Sequence, residues 1–146
     1  MSKIPVKIKL FDSQLPLPAY QTPGAAGFDL YARTQVEVEP GAVTAIPLNI
    51  ALEIPADYWL LLTARSSLYK KGLHLINGVG VGDSDYCGDN DEYKLLVHNF
   101  TQEKVTVEKG ERLAQGILMP WLVADFEKVE NLAKNQDRGG IGSTGR

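Results

Sequence analysis

The stretch Gly78-Val-Gly-Val-Gly-Asp-Ser-Asp-Tyr-Cys-Gly88 sets two carboxylates, Asp83 and Asp85, and one aromatic ring, Tyr86, among glycines. Glycine removes the side chain that would hold a ligand away from the main chain, so backbone N–H and C=O groups here can touch a substrate directly. A carboxylate on such a loop can accept a proton from water. The chain ends in a second glycine-rich block, Arg138-Gly-Gly-Ile-Gly-Ser-Thr-Gly-Arg146, which combines two cations, two hydroxyls and several amides. Those are the groups that hold phosphate. A third polar block, Arg65-Ser66-Ser67, follows the apolar run Tyr58–Ala64. Its hydroxyls suit either the cap of a short helix or an anion at a helix start. Together the three blocks point to a phosphorylated ligand.

Other chemistries fit less well. Asp83-x-Asp85 with Gly88 at the sixth position resembles a calcium loop, but Cys87 occupies position five and Lys94 stands where a bidentate glutamate is required. His74, His98 and Cys87 lack zinc-ligand spacing. Cys87 by itself reads as a small buried hydrophobe rather than a nucleophile. The ending Gly140-Ile-Gly142-Ser-Thr-Gly145 matches a dinucleotide fingerprint in letters only, because that motif must open a helix after a strand and here the sequence ends. Asn99-Phe-Thr101 is a glycosylation sequon by chance if the chain is not secreted.

The elements that must position these groups read as strands. Ile4, Val6, Ile8 and Leu10 alternate with polar residues, the period of a half-buried strand, and Pro5 places it at a sheet edge. Further strand-length runs are Phe28–Ala32, Gln35–Val38, Ala42–Ile46, Asn49–Ile54, Tyr58–Ala64, Tyr93–Phe100, Lys104–Val107 and Leu113–Met119, divided by turn signals such as Pro40-Gly41 and Lys109-Gly110. Only Ser66–Lys71 and Glu127–Lys134 offer helical turns. The pattern predicts an all-β sandwich or jelly-roll-like barrel with at most one short helix.

With 146 residues, 44% hydrophobic and 23% charged, the chain supports one core. We expect one domain over residues 1–134 and a mobile phosphate-binding lid over residues 135–146. The balance of 15 basic against 18 acidic residues gives a net charge of -3 with no basic block, which disfavours a nucleic-acid polymer as partner. One cysteine excludes an internal disulfide and suits a reducing compartment. No window approaches the roughly 20 apolar residues of a membrane span, and the start lacks a signal-peptide core. Cytoplasmic location is the expectation.

Five blocks in order resemble the trimeric dUTP pyrophosphatase (dUTPase) family: Ala26-Gly-Phe-Asp-Leu-Tyr-Ala32, Arg65-Ser-Ser67, Asn77 through Gly88, Glu111-Arg-Leu-Ala-Gln115, and Arg138 through Gly145. The resemblance implies a β-clip, distorted jelly-roll-like subunit, a homotrimer whose active sites are shared between subunits, and Mg²⁺-dependent hydrolysis of dUTP to dUMP and pyrophosphate. By the same resemblance Asp83 is the general base, and Tyr86 packs on the deoxyribose. Asn77 with the backbone around Gly80 and Val81 reads uracil. Arg65, Ser66, Ser67, Gln115, Arg138, Gly142, Ser143 and Thr144 cradle the triphosphate, and Asp29 meets Mg²⁺ through its water shell.

The sequence departs from the family pattern in three places. Gly82 replaces a branched apolar residue before Asp83, which is expected to loosen the hairpin. About three extra residues around Asp89–Asp91 require the arm to bulge or extend. The tail is short, and Ile141 stands where an aromatic covers uracil; stacking on an aromatic is worth about 1–3 kcal/mol, so a weaker lid is expected. Two other functions stay open: a dCTP deaminase of the same fold, whose catalytic glutamate would lie on the strand leading to Asn99, and a catalytically weak nucleotide sensor.

Overall fold

The computed structural model describes residues 3–132, 137, 139 and 140. Eleven strands and one short 3₁₀ turn, Leu68–Lys71, make up its regular structure. The strands are β1 (Lys7–Leu10), β2 (Phe28–Tyr31), β3 (Val36–Val38), β4 (Val43–Pro47), β5 (Ile50–Glu53), β6 (Tyr58–Ala64), β7 (Leu73–Leu75), β8 (Gly80–Gly82), β9 (Lys94–Asn99), β10 (Val105–Val107) and β11 (Arg112–Pro120). They form four small antiparallel sheets, ordered β2-β11-β6-β8, β4-β9-β7, β1-β5 and β10-β3. This is the all-β architecture expected. The eight runs after the first each hold an observed strand, and β7 and β8 are additional.

Alternation explains the core. Leu60 and Leu62 on β6, Leu95 and Val97 on β9, and Leu30 on β2 point inward and are essentially excluded from water. At about 25 cal/mol per Å² of apolar surface, burial of such side chains supplies the main drive for closing the sheets. The chain changes sheets at Leu48-Asn49, between β4 and β5. Asn49 adopts a left-handed φ of 69°, a conformation asparagine tolerates better than most residues. Its side chain secures the bend by accepting from the Asp12 amide at 2.6 Å and donating to the Asp12 carbonyl at 3.1 Å.

A buried ion pair fastens the same region. Glu92, 7% exposed, receives Arg33 Nε at 2.7 Å and Nη2 at 3.0 Å, and also accepts from the Asn49 amide at 3.0 Å. The bidentate geometry and the extra amide offset much of the desolvation of the carboxylate.

Three expectations are corrected. Residues 127–132 form no helix, while 133 and 134 lie outside the described residues. The first strand, by contrast, is half-buried as expected: Ile4, Val6 and Leu10 are partly covered while Lys7 and Lys9 are exposed, and Ile8 joins Ile4 and Val6 along an open apolar cleft with Leu17, Tyr20 and Phe28. Cys87 is exposed, since it sits on a polar turn with no core beneath it. The extra residues neither bulge nor extend the strand; they close a turn in which Gly88 N donates to Asp91 Oδ2 at 2.7 Å and Asp91 N to the Gly88 carbonyl at 3.0 Å. Lys9 Nζ ties that turn to β1 through the Asp89 carbonyl, 2.7 Å away.

Beyond β11, Trp121 is anchored by its amide on the Asp57 carbonyl at 3.2 Å and its indole N–H on the Ala56 carbonyl at 2.7 Å. Leu122 and Phe126 then stand almost wholly in solvent. Among the described residues no helix is long and apolar enough to cross a membrane.

Candidate active site

The glycine run forms β8 and the turn after it. Antiparallel pairing sets Gly80 opposite Leu62 and Gly82 opposite Leu60. A Cβ on Gly80 would come within 3.1 Å of Leu62 Cβ, and one on Gly82 within 2.6 Å of both Cε1 and Oη of Tyr93. Close packing therefore demands glycine at 82. The position is not loosened, because Tyr93 fills the volume that a branched side chain would take. Gly78 begins the segment at φ 71°, in the left-handed region, and Val79 N donates to the Asn77 carbonyl at 2.8 Å.

Asp83 follows β8 at once and is exposed. Its carbonyl accepts from the Tyr86 amide at 3.1 Å, closing a turn that carries Ser84 and Asp85. Asp83 borders two clefts. One is walled by Leu62, Gly80, Val81, Gly82, Tyr86 and Tyr93; the other by Trp59, Val81, Asp85 and Trp121. The first has glycine backbone on one side and aromatic faces on the other, which suits a flat ring and a sugar.

Tyr86 is fixed at both ends. Its hydroxyl donates to the Glu92 carbonyl at 3.1 Å, and its ring meets Tyr93 edge-on at 5.3 Å and 80°. Burial, with help from the charges of Asp91 and Glu92, lifts the Tyr86 phenol above its ordinary value, so it is neutral at pH 7.

The cationic residues gather around Asp29. Pairing of β2 with β11 and of β11 with β6 aligns Asp29, Gln115 and Thr63 across three strands. The Asp29 carboxylate, 6% exposed, faces Arg65 Nε at 3.1 Å through one oxygen and Arg112 Nη1 at 3.1 Å through the other. Two guanidiniums on one buried carboxylate leave a net positive, orientated group. Gln115 Nε2 donates to the Ala64 carbonyl at 3.1 Å, and Arg65 N to the Leu113 carbonyl at 2.9 Å. Ser66 and Ser67 are exposed, and Ser67 makes no side-chain capping bond to the 3₁₀ turn, so its hydroxyl is not committed to a cap.

As a metal donor Asp29 is an outer-sphere candidate. Both its oxygens already face guanidiniums, and among the described residues no group of three or more His, Cys, Asp or Glu converges. That arrangement fits a hydrated Mg²⁺ held chiefly by phosphates, since Mg²⁺ keeps several waters and asks little of the protein.

The expected site residues thus fall into two groups. Asn77, Gly80, Val81, Asp83 and Tyr86 gather along β7–β9, whereas Asp29, Arg65, Ser66, Ser67 and Gln115 gather where β2, β6 and β11 meet. Asp83 follows the residue paired with Leu60, and Arg65 lies past the opposite end of β6. At ~3.3 Å per residue the six steps from Trp59 to Arg65 span about 20 Å. Arg138, Ile141, Gly142, Ser143 and Thr144 lie outside the described residues.

Three residues escaped the sequence reading. Arg112 stood inside a quoted block, yet only the fold turns it toward Asp29. Tyr93 and Glu92 lie just before β9, where the sequence shows Glu92 only as the last carboxylate of an acidic run and gives no sign of its contact with Arg33. Glu92 also bears on the deaminase reading: its carboxylate is committed to Arg33 and Asn49, and β9 itself carries none.

Comparison with known proteins gives the family and the fold. The dUTPase family model matches residues 13–145. A deoxyuridine 5'-triphosphate nucleotidohydrolase of Lactococcus lactis subsp. lactis is 42% identical over 144 residues, covering 96% of this chain and 95% of the relative. One from Desulfitobacterium hafniense is 42% identical over 152 residues, covering 99% of each. Among solved structures, dUTPase from Streptococcus mutans superposes with a TM-score of 0.74 at 35% identity, over 82% of this chain and 98% of that one. A Staphylococcus bacteriophage 80alpha dUTPase with dUPNHPP reaches 0.85 at 24% identity, over 97% and 99%, a likeness of fold.

Proposed function

From the premise that this chain belongs to the dUTPase family, we propose that it hydrolyses dUTP to dUMP and pyrophosphate. Water attacks the α-phosphorus in line, the bond from that phosphorus to the α,β-bridging oxygen breaks, and Asp83 takes the proton from the attacking water. General-base assistance of this kind contributes about 10²–10⁴-fold. The observation that carries the reading is the β8 hairpin, whose glycines open a backbone wall directly beside Asp83 and Tyr86.

In this reading the base lies against Gly80 and Val81, where main-chain groups read the uracil edge together with Asn77. Tyr86, held from both ends, packs on the deoxyribose and leaves no room for a 2′-hydroxyl. Arg65 and Arg112, orientated by Asp29, face the phosphates with Ser66, Ser67 and Gln115. Asp29 would hold Mg²⁺ through the ion's water shell, and the ion would supply charge neutralisation of the pyrophosphate leaving group. The segment 135–146 brings Arg138, Gly142, Ser143 and Thr144 to the phosphates and lays Ile141 over the base as a lid.

The separation of about 20 Å along β6 supports a shared site. One nucleotide cannot lie against the Asp83 hairpin and the Asp29–Arg65–Arg112 cluster of the same chain and still present its α-phosphorus to Asp83. A homotrimer in which the hairpin of one subunit meets the cations of the next resolves this.

Pyrophosphate release from dUTP, dCTP, dTTP and UTP with Mg²⁺ tests base, sugar and reaction together. Turnover confined to dUTP is expected. Binding of dUTP without release would instead identify a nucleotide sensor, and ammonia from dCTP a deaminase.

A further inference from the structure

The sheet β2-β11-β6-β8 has an inner and an outer face. Leu60 and Leu62 of β6, Gly82 of β8 and Gly116 of β11 alternate into the core. The residues between them point outward, and pairing sets Ile117, Leu61 and Val81 side by side in one row with Met119 and Trp59 in the next. None of the five is buried, and Val81 is 65% exposed. An antiparallel sheet with one face in water puts polar side chains on that face. Here neighbouring outward positions on three strands are apolar instead, which marks a contact surface.

The apolar rows lie between the two groups of site residues. On one side, Asp29, Gln115 and Thr63 form the adjoining row of the same face, with Arg65 and Arg112 against Asp29. On the other, Asp83 and Asp85 line a cleft between Trp59 and Trp121. One end of the face is thus cationic and the other acidic. A second copy of the chain carries the same two ends, so opposite charges meet when the copies are set head to tail. The chain's own remaining residues are a poor cover. Leu122 and Phe126, which follow the sheet, stand in solvent rather than over it, and residues 133–146 hold two apolar side chains, Ala133 and Ile141.

We propose that the outer face of β6, β8 and β11 seats the next copy of this chain, with the row Ile117–Leu61–Val81 as the apolar centre of the contact and the charged ends flanking it. The inference rests on the shared-site reading above and adds the surface that brings the two half-sites together. Burial of the apolar rows holds the hairpin of one subunit near the cations of another, so the nucleotide site exists only where this contact has formed.

Sedimentation velocity over a dilution series of the parent protein, Leu61→Glu and Val81→Lys tests this, with circular dichroism to check the fold. The parent is expected at about 48 kDa, three chains of 16.0 kDa, and the variants at the mass of one chain. A charge buried unpaired at the centre of a contact raises the half-dissociation concentration by roughly 10²-fold or more. Neither substitution enters the subunit's own core, since Leu61 points outward and Val81 is 65% exposed. Val81→Lys decides the matter should Leu61→Glu fail to fold. Folded variants that dissociate at the parent's concentration overturn the proposal, and so does a parent that stays monomeric throughout. Turnover of dUTP by such a monomer would remove the shared site and keep the reaction. An oligomeric parent inert toward dUTP counts against the dUTPase reading instead, and the masses of the variants still decide this face.

Discussion

Asp83 is exposed at the end of β8 and its turn is closed by backbone alone, so its side chain can be changed without disturbing the fold. Asp83→Asn should reduce turnover by about 10²-fold or more while dUTP still binds near its normal affinity; parallel kinetics and calorimetry would show it. Turnover that stayed normal would remove Asp83 from the base role. Tyr93 makes a prediction about stability instead. Its phenol titrates near 12 in the folded chain against 10 when unfolded, so the folded state holds its proton more tightly. The associated stability is present in full below pH 10 and is lost as pH rises toward 12, a contribution of about 2–3 kcal/mol. Denaturation midpoints followed from pH 9 to 12 should fall less steeply in Tyr93→Phe than in the parent protein; equal slopes would refute this. Asp83 and Tyr86 were legible in the sequence because glycines advertise backbone that something must approach. Tyr93 was not, since a tyrosine opening a strand looks like any other core residue until its neighbour across the sheet is known.

Among the elements, β8 carries the sharpest constraint. With Cε1 and Oη of Tyr93 both 2.6 Å from where a Cβ would sit, Gly82→Val should cost about 1–3 kcal/mol through overpacking. Pairing it with Tyr93→Ala should recover part of the loss, giving a coupling of about 0.5–3 kcal/mol in a double-mutant cycle of denaturant unfolding. Additive costs would show that the two side chains do not compete for one volume. Most strands announced themselves through apolar alternation and the turn residues between them. The two that did not, β7 and β8, are three residues each. β7 lacks the flanking β-branched valines that mark the equally short β3 and β10, and in β8 the glycines erase the hydrophobic pattern. The helix expected from Glu127 failed for a different reason: the apolar residues of 127–132, Val129 and Leu132, stand three apart as on a helix face but find no surface to cover.

For the whole molecule, the distance along β6 between Asp83's end and Arg65 is what the proposal of a site shared between subunits rests on. Asp83→Asn and Arg65→Ala proteins, each inactive alone, should regain activity when unfolded together, mixed and refolded. Random assortment gives about one quarter of the parent rate, because a site needs an intact hairpin from one chain and intact cations from another. No recovery in mixed oligomers would place both halves in one chain. The number of partners was not readable from composition or spacing. The sequence blocks name the groups, and only the fold shows the length of β6 that separates them.

The ion pair between Asp29 and Arg112 joins residues 83 positions apart, and β11 must slot between β2 and β6 before it can form. Strand partners so remote in the chain close late and slowly, on the order of milliseconds to seconds. Arg65 and Arg112 therefore gain their fixed orientation on Asp29 only once β11 has docked between β2 and β6, which makes the last strand to pair the one that assembles the cationic cluster.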